Sequence, residues 1–134
     1  MKKSLYLFIA STILISCSSN NDDSSFDPVI GKWQLHSYSV NGEEQITECE
    51  RKTTITFSEN GKATTSSSFN DGNECMNETK VSTWENVGNS TYRIASNSED
   101  AKLEFSENDT IFKASVTVIE DDKSYTRVIT YKKI

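Results

Sequence analysis

The chain has 134 residues and carries 14 lysines and arginines against 20 aspartates and glutamates, a formal net charge of −6 at pH 7. This acidic balance argues against nucleic acid as a partner, because its phosphates require a basic protein face. The length, without an internal repeat, fits one small domain with a modest hydrophobic core.

The first residues have the pattern of a secretory signal peptide. Lys2 and Lys3 precede an almost uninterrupted apolar run over residues 5–15, and the small residue Ser16 follows it. The run is too short to cross a bilayer, since a transmembrane helix needs about 20 apolar residues. An uncleaved anchor and a buried core helix are the alternatives, but neither explains a cysteine at this junction.

The junction Leu14-Ile15-Ser16-Cys17 resembles a bacterial lipobox. That resemblance implies cleavage after residues 1–16, a diacylglyceryl group on the sulfur of Cys17, and acylation of its freed amine. Each buried methylene contributes roughly 0.8 kcal/mol, so two or three chains on Cys17 make attachment effectively permanent. The expected partner at this end of the chain is therefore a membrane.

Residues 17–27 are predicted to be a lipidated, flexible tether. The run from Ser18 to Ser25 has no aromatic or aliphatic residue and cannot bury enough surface to order itself. Asp22-Asp23 resembles the acidic export signal of surface-exposed lipoproteins in Bacteroidota, with an ordinary solvated linker as the alternative. We expect a protein that is lipid-anchored in a bacterial outer membrane, facing the cell surface if the export signal acts.

The remainder of the chain has strand patterning throughout. Its apolar residues alternate with polar ones or lie in β-branched and aromatic runs, and no window offers a comparable helical stripe. Turn signals such as Asn41-Gly42 and Asp121-Asp122 separate the runs and favour hairpins. Strands joined in series by hairpins form an antiparallel meander. Because a meander must close or stack to remove its exposed edges, the pattern predicts a closed or stacked sheet. The eight predicted strands lie near 31–40, 51–58, 62–69, 79–87, 90–95, 101–106, 110–119 and 123–132.

The first predicted strand changes its buried face part of the way along. Trp33 and Leu35 share one face, whereas Tyr38 and Val40 share the other. A β-bulge near His36-Ser37 would restore a single buried face, as expected where a strand rounds the corner of a small barrel.

Gly31-Lys32-Trp33, within the run from Pro28 to Leu35, resembles the Gly-x-Trp motif of the lipocalin-like lipoproteins of Bacteroidota. The resemblance covers residues 28–134 and implies an all-β, eight-stranded, antiparallel up-and-down barrel. It also implies that Gly31 starts the first strand, that Trp33 plugs the barrel base, and that Arg127 lies across the tryptophan. The chain is shorter than a typical lipocalin and lacks the pattern of the C-terminal helix, which puts a deep calyx in doubt.

Cys49 and Cys75 form an even pair in a chain predicted to be exported, where disulfides persist. A meander brings the start of the second strand and the loop after the third to the same rim, so a disulfide between them is geometrically reasonable. Trp84, on a strand at that rim beside the Cys75 loop, is expected to be more exposed than Trp33. A metal or redox role is the alternative, but the chain has no Cys-x-x-Cys motif and a single histidine.

Catalysis finds little support in the residue pattern. His36 has no partner histidine, and the acidic clusters near 43–50 and 120–122 lack the spacing of a calcium loop. We therefore expect no catalytic residues, no metal, no cofactor and no enzyme. Asp109-Thr110-Ile111 resembles the O-glycosylation acceptor of Bacteroidota and marks Thr110 as a candidate site.

The sequence thus predicts a monomeric binding protein, with two hypotheses for what it binds. The first is a small hydrophobic ligand held inside the barrel. The alternative is a barrel whose interior is filled by side chains, as is common with eight strands. Its loops at 41–50, 70–78 and 96–100 would then contact another envelope protein. The candidate lining consists of aromatic and aliphatic strand residues: Trp33, Leu35, Ile55, Phe57, Tyr92, Ile94, Phe112, Val116 and Tyr131.

Overall fold

The computed structural model describes residues 26–95, 97 and 100–134, so the predicted signal peptide, Cys17 and most of the tether lie outside the described residues. The described chain is all-β, apart from one turn of 3-10 helix at Glu50–Lys52. No helix within it has both the length and the hydropathy of a membrane crossing. The nine strands are β1 Gly31–Val40, β2 Glu43–Glu44, β3 Thr54–Phe57, β4 Lys62–Asp71, β5 Glu74–Gly88, β6 Thr91–Ile94, β7 Ala101–Ser106, β8 Ile111–Glu120 and β9 Lys123–Lys133.

The sheet closes on itself as an eight-stranded antiparallel barrel, which confirms the predicted fold class. Neighbouring strands in the order β1-β3-β4-β5-β6-β7-β8-β9 are paired, and β9 pairs with β1. The two-residue strand β2 only folds back on the end of β1. Because the ladder closes within residues 31–133 around its own core, we expect the domain to fold without residues 1–17.

The hairpin turns follow from residue types that tolerate positive φ. Asn41 and Gly42 have φ of 50° and 85°, and Asp121 and Asp122 have 49° and 60°. These values suit the type I′ turns that match the twist of a hairpin. The predicted turns at both places are therefore confirmed.

The bulge predicted in the first strand is also confirmed. The β1–β9 ladder shifts register between Leu35 and Ser37, so His36 is the extra residue. The bulge returns Tyr38 to the interior side, where it lines a cavity described below.

Two predicted boundaries are wrong. The loop expected over 70–78 is a tight hairpin, because β4 and β5 are paired continuously from Lys62↔Thr83 to Asp71↔Glu74. The strand expected from residue 51 starts at Thr54, after the 3-10 turn. Thr47 and Glu50 begin that turn with reciprocal bonds, in which each side chain accepts from the other's backbone N–H at 2.7 and 3.2 Å. Thr47-x-x-Glu50 is a capping-box sequence, a signal that would have revealed the turn.

The core is densest at the end of the barrel where β1 begins and β9 ends, here called the base. Trp33 is fully buried there, and its indole N–H donates to the Val29 carbonyl at 2.7 Å. The ring packs edge-on against Phe112, with ring centroids 4.6 Å apart, and in a tilted arrangement against Phe105, with centroids 6.2 Å apart. Such aromatic pairs add about 0.5–1.5 kcal/mol each beyond the area they bury.

Candidate ligand cavity and barrel base

The segment before β1 closes the base from below. The Asp27 carboxylate accepts hydrogen bonds from the Tyr92 hydroxyl at 2.7 Å, the Val29 N–H at 3.0 Å and the Asn86 amide at 2.6 Å. Burial raises the pKa of Tyr92, and its hydrogen bond to Asp27 raises it further. Tyr92 therefore remains a neutral donor, and the contacts of Asp27 hold the segment across the base.

The cation over Trp33 is Lys133, not the predicted Arg127. The Lys133 ammonium lies 4.9 Å from the ring centroid and donates to the Pro28 carbonyl at 3.3 Å. Gly31, at φ +133°, leaves room for this side chain, since a Cβ there would lie 2.7 Å from the Lys133 Cε.

Strand register explains why the Arg127 prediction is wrong. In the β1–β9 ladder Trp33 stands opposite Lys133, whereas Arg127 stands opposite Val40 at the far end of the barrel. There the Arg127 guanidinium pairs with Glu120 at 3.2 Å.

Above the Trp33 plug lies an apolar cavity of about 270 Å³. A second cavity of about 300 Å³ shares Ala101, Ala114 and Ile129 with it, so the two adjoin. The first cavity is lined by Ile55, Phe57, Thr65, Tyr92, Ile94, Asn97, Ala101, Leu103, Phe112, Ala114, Ile129 and Tyr131.

Six of the nine predicted lining residues border this first cavity: Ile55, Phe57, Tyr92, Ile94, Phe112 and Tyr131. Val116 borders the second cavity, and Leu35 borders a third, of about 260 Å³, near the mouth. Trp33 lies in the closed base instead. Sequence reasoning missed Ala114 and Ile129, although both continue the alternation of the predicted residues Phe112 and Tyr131.

Among the described residues, the cavity opens through a gap in the barrel wall, because β6 and β7 are much shorter than the strands on either side. The β5–β6 ladder begins at Trp84, and the β7–β8 ladder ends at Ala114. Above them, residues 74–82 of β5 and 115–120 of β8 have a strand partner on one side only among the described residues. We call this gap, between 74–82 and 115–120, the notch.

Charged groups below the notch pair with one another rather than converging on a reaction centre. Arg93 donates to both Asp100 oxygens at 2.8 and 2.9 Å and to Glu85 at 2.8 Å. The hydrogen bond from Arg93 lowers the pKa of Asp100, so this carboxylate stays charged and paired with Arg93. The arrangement suits a rim beside an apolar binding site.

Inside the cavity, the ring of Tyr131 stacks on Phe112 with centroids 5.0 Å apart. Burial raises the pKa of Tyr131, so its hydroxyl is a neutral donor. None of the described residues hydrogen-bonds to that hydroxyl, which leaves it able to donate to a guest.

At the mouth, Cys49 and Cys75 form the predicted disulfide, with their Cα atoms 5.6 Å apart. The bond is confirmed, but Cys75 lies on β5 rather than in a loop. The disulfide fastens the segment before the 3-10 turn to the β4–β5 hairpin. It thereby holds one side of the notch.

Trp84 lies at the base, not at the rim beside Cys75 where it was expected. Its indole N–H donates to the Ser58 carbonyl at 2.9 Å, and its ring packs edge-on against Phe57 with centroids 5.7 Å apart. Both tryptophans therefore lie below the cavity. The expectation failed because β5 is longer than predicted and carries Trp84 far from Cys75.

Two other candidate residues are on the surface. His36 is exposed at the bulge, and the part of the chain that the structure covers contains no cluster of three potential metal ligands. Thr110 is exposed in the β7–β8 turn, where its hydroxyl donates to the Glu107 carbonyl at 2.8 Å. Its modification stays a prediction.

Solved structures similar to this chain are lipocalins at low identity. Bovine odorant-binding protein with its natural ligand is 15% identical at a TM-score of 0.47, over 84% of this chain and 75% of its own. The possum milk whey lipocalin trichosurin, with bound 4-ethylphenol, is 11% identical at a TM-score of 0.47, over 76% of this chain and 73% of its own. The siderocalin Ex-FABP is 14% identical at a TM-score of 0.46, over 81% of this chain and 71% of its own. No curated protein matches the sequence significantly.

The sequence profile of the lipocalin-like domain family matches residues 29–108, more than half of the chain. The match runs from the buried Val29 through β1, with its Gly31 and Trp33, to the turn after β7. The chain belongs to the lipocalin-like domain family.

Proposed function

We propose that this protein binds a small apolar molecule in the cavity above Trp33 while a lipid on Cys17 holds it at a bacterial outer membrane. The observation that carries the proposal is the apolar cavity of about 270 Å³ that opens at the notch. Membership of the lipocalin-like family supports it, and the converging polar groups that catalysis needs are not among the described residues around the cavity.

The size of the cavity limits its guest. Ligand pockets measure roughly 300–1,000 Å³, and the two adjoining spaces together fall in the lower half of that range. The stacked rings of Phe112 and Tyr131 offer a flat wall, and the Tyr131 hydroxyl offers one donor. The guest that fits best is a compact apolar molecule with a single hydrogen-bond acceptor.

The lipid anchor would set the direction from which the guest enters. Asp27 is fixed at the base, so a tether from Cys17 leaves the barrel on the side opposite the notch. Ten extended residues span at most about 35 Å. With Cys17 in the membrane, the base is the end of the barrel nearest the point of attachment, and a flexible tether of this length leaves the notch accessible from the aqueous side. The guest then arrives from the aqueous side or from another envelope protein.

The binding proposal is tested with a neutral apolar dye, N-phenyl-1-naphthylamine, titrated into the chain without residues 1–17. Ala114→Trp fills the space shared by the two cavities, whereas Lys113→Trp places the same side chain on the neighbouring exposed position of β8. We expect saturable binding at micromolar dye for the parent and for Lys113→Trp. We expect at least a tenfold weaker affinity for Ala114→Trp, corresponding to about 1.4 kcal/mol.

The thermal midpoint of each variant checks that overpacking, which costs typically about 1–3 kcal/mol, has not unfolded the barrel. If a folded parent binds no apolar probe up to millimolar concentration, the cavity proposal is wrong. The interaction hypothesis, in which the loops contact an envelope protein, would then be the better account.

A further inference from the structure

The longest unpaired strand edge among the described residues belongs to β5. Its residues 74–82 pair with β4 on one side, and the other side faces the notch. Residues 74–81 are all exposed, including Met76 and Val81 at 42% and 62%. Folded proteins commonly protect such an edge with charged side chains, a proline, a bulge or a covering loop, and of these the edge carries charges of both signs, at Glu78 and Lys80. Residues 74–83 contain no proline or glycine, and their ladder has no bulge.

The direction of the backbone groups along this edge follows from two hydrogen bonds at its lower end. The Trp84 N–H donates to Gly61, on the β4 side, whereas the Thr83 carbonyl accepts from Ala95, on the β6 side. Backbone groups alternate sides along a strand, so the odd-numbered residues point their N–H and C=O groups toward the notch. Among the described residues, nothing pairs with the backbone donors and acceptors that Asn77, Thr79 and Val81 present on this side.

We propose that this edge binds the same edge of a second copy of the chain, antiparallel, with the two-fold axis at Thr79. In that register the two Thr79 residues exchange both backbone hydrogen bonds. Asn77 exchanges both with the partner's Val81 at each end, which gives about six bonds in all. The two hairpins then form one continuous four-stranded sheet.

Charge selects this register over its neighbours. Glu78 and Lys80 already lie on one face, with their charged atoms 3.6 Å apart. With the axis at Thr79, Glu78 stands opposite the partner's Lys80, and Lys80 stands opposite the partner's Glu78. An axis at Glu78 or at Lys80 would instead place like charges directly opposite each other, which is destabilising.

Two further features favour a second copy as the occupant. The Cys49–Cys75 disulfide already fixes the end of the edge, so pairing orders little additional chain. A contact limited to one strand edge is small and falls among transient interfaces. Confinement of the predicted lipid-anchored protein to a membrane would raise its effective concentration. The proposal replaces the expectation of a monomer.

The test measures self-association by sedimentation of the chain without residues 1–17 over a wide concentration range. Lys80→Glu and Glu78→Lys each create two like-charge pairs across the axis and are expected to weaken the dimer about tenfold or more. The double variant Glu78→Lys with Lys80→Glu restores opposite charges by symmetry and is expected to recover dimerisation. Far-UV circular dichroism and the thermal midpoint confirm that each variant is folded.

A cross-link tests the position of the axis. Opposed residues in a hydrogen-bonded antiparallel pair have Cα atoms about 5.5 Å apart, within the range that a disulfide spans. Thr79→Cys should therefore form a covalent dimer under mild oxidation, and peptide mapping should find the Cys49–Cys75 bond intact. Thr117→Cys, an exposed threonine on β8, is the matched control and should yield no more than background.

A parent chain that sediments as a monomer at millimolar concentration overturns the proposal. So does a dimer that both charge variants leave unchanged, or one that cross-links equally well at Thr117, because its interface lies elsewhere. Dye binding in the cavity is expected in the monomeric variants as well, so the outcome is independent of the ligand proposal.

Discussion

Removing the Cys49–Cys75 disulfide should destabilise the domain mainly by freeing the unfolded chain. The bond closes a loop with a sequence separation of 26 residues. In the chain-entropy model a loop of this length restrains the unfolded state by about 3.5 kcal/mol at 25 °C. Since Cys49 is buried, replacing it with a polar residue adds the cost of burying a hydroxyl. Cys75, which is exposed, is the better site for isolating the entropic effect.

The expected change in the thermal midpoint follows from the size of the domain. About 110 residues unfold with an entropy of about 0.2 kcal/mol/K, so 3.5 kcal/mol corresponds to a decrease of about 15 °C. Differential scanning calorimetry of Cys75→Ser, beside the parent with and without a reductant, measures this shift. The reduced parent should melt close to the variant, because both lack the same bond.

Thiol titration of the parent without residues 1–17 provides the control. No thiol should react before reduction, and two should react after it. A decrease in the midpoint below about 3 °C in the variant, or two reactive thiols in the unreduced parent, would refute the argument that this bond restrains the unfolded chain.

Three other predictions use single substitutions. Lys133→Ala should lower the free energy of unfolding in urea by about 1–2 kcal/mol, because it removes the cation–π contact with Trp33. Arg127→Ala removes only a surface ion pair and should lower that free energy by less than about 0.5 kcal/mol, so an equal loss in the two variants would contradict Lys133 as the cation over Trp33. Because folding raises the pKa of Tyr92, the stabilisation linked to its neutral hydroxyl is complete below the unfolded pKa of about 10 and is lost as the pH rises toward the folded pKa. Above about pH 10 the free energy of unfolding in urea should therefore fall more steeply for the parent than for Tyr92→Phe. Cys17→Ala in the full chain should abolish incorporation of radioactive palmitate, and continued labelling would reject the lipobox hypothesis.

Local sequence patterns were sufficient to predict the features that depend on hydrogen-bond geometry and side-chain alternation over a few residues. Asn41-Gly42 predicted its hairpin because few residue pairs tolerate two positive φ angles. The parity slip between Leu35 and Tyr38 predicted the bulge, since a single buried face required an extra residue. The disulfide followed from the same reasoning, because a meander leaves few places for two cysteines to meet.

Predictions that depended on register between distant strands failed. Arg127 and Lys133 both lie on β9, and only the pairing of β9 with β1 decides which of them reaches Trp33. Register is specified by packing across the whole sheet, and a short motif does not contain it. The misplacement of Trp84 has the same origin, because the start of β5 depends on how far β4 continues beside it.

The choice between a filled and an open barrel rests on side-chain size at successive levels of the same strands. Eight strands enclose a space just wide enough for side chains to fill. At the base, Trp33 and Phe112 fill it. One alternation further along β8 the interior residue is Ala114, and the neighbouring strand β7 begins with Ala101, which borders the same cavity. Two small residues side by side on the barrel wall leave a space that the larger residues of the base would close. In the part of the chain that the structure describes, the short strands β6 and β7 leave this space open to solvent, so the same few positions decide both the volume and the entrance of the cavity.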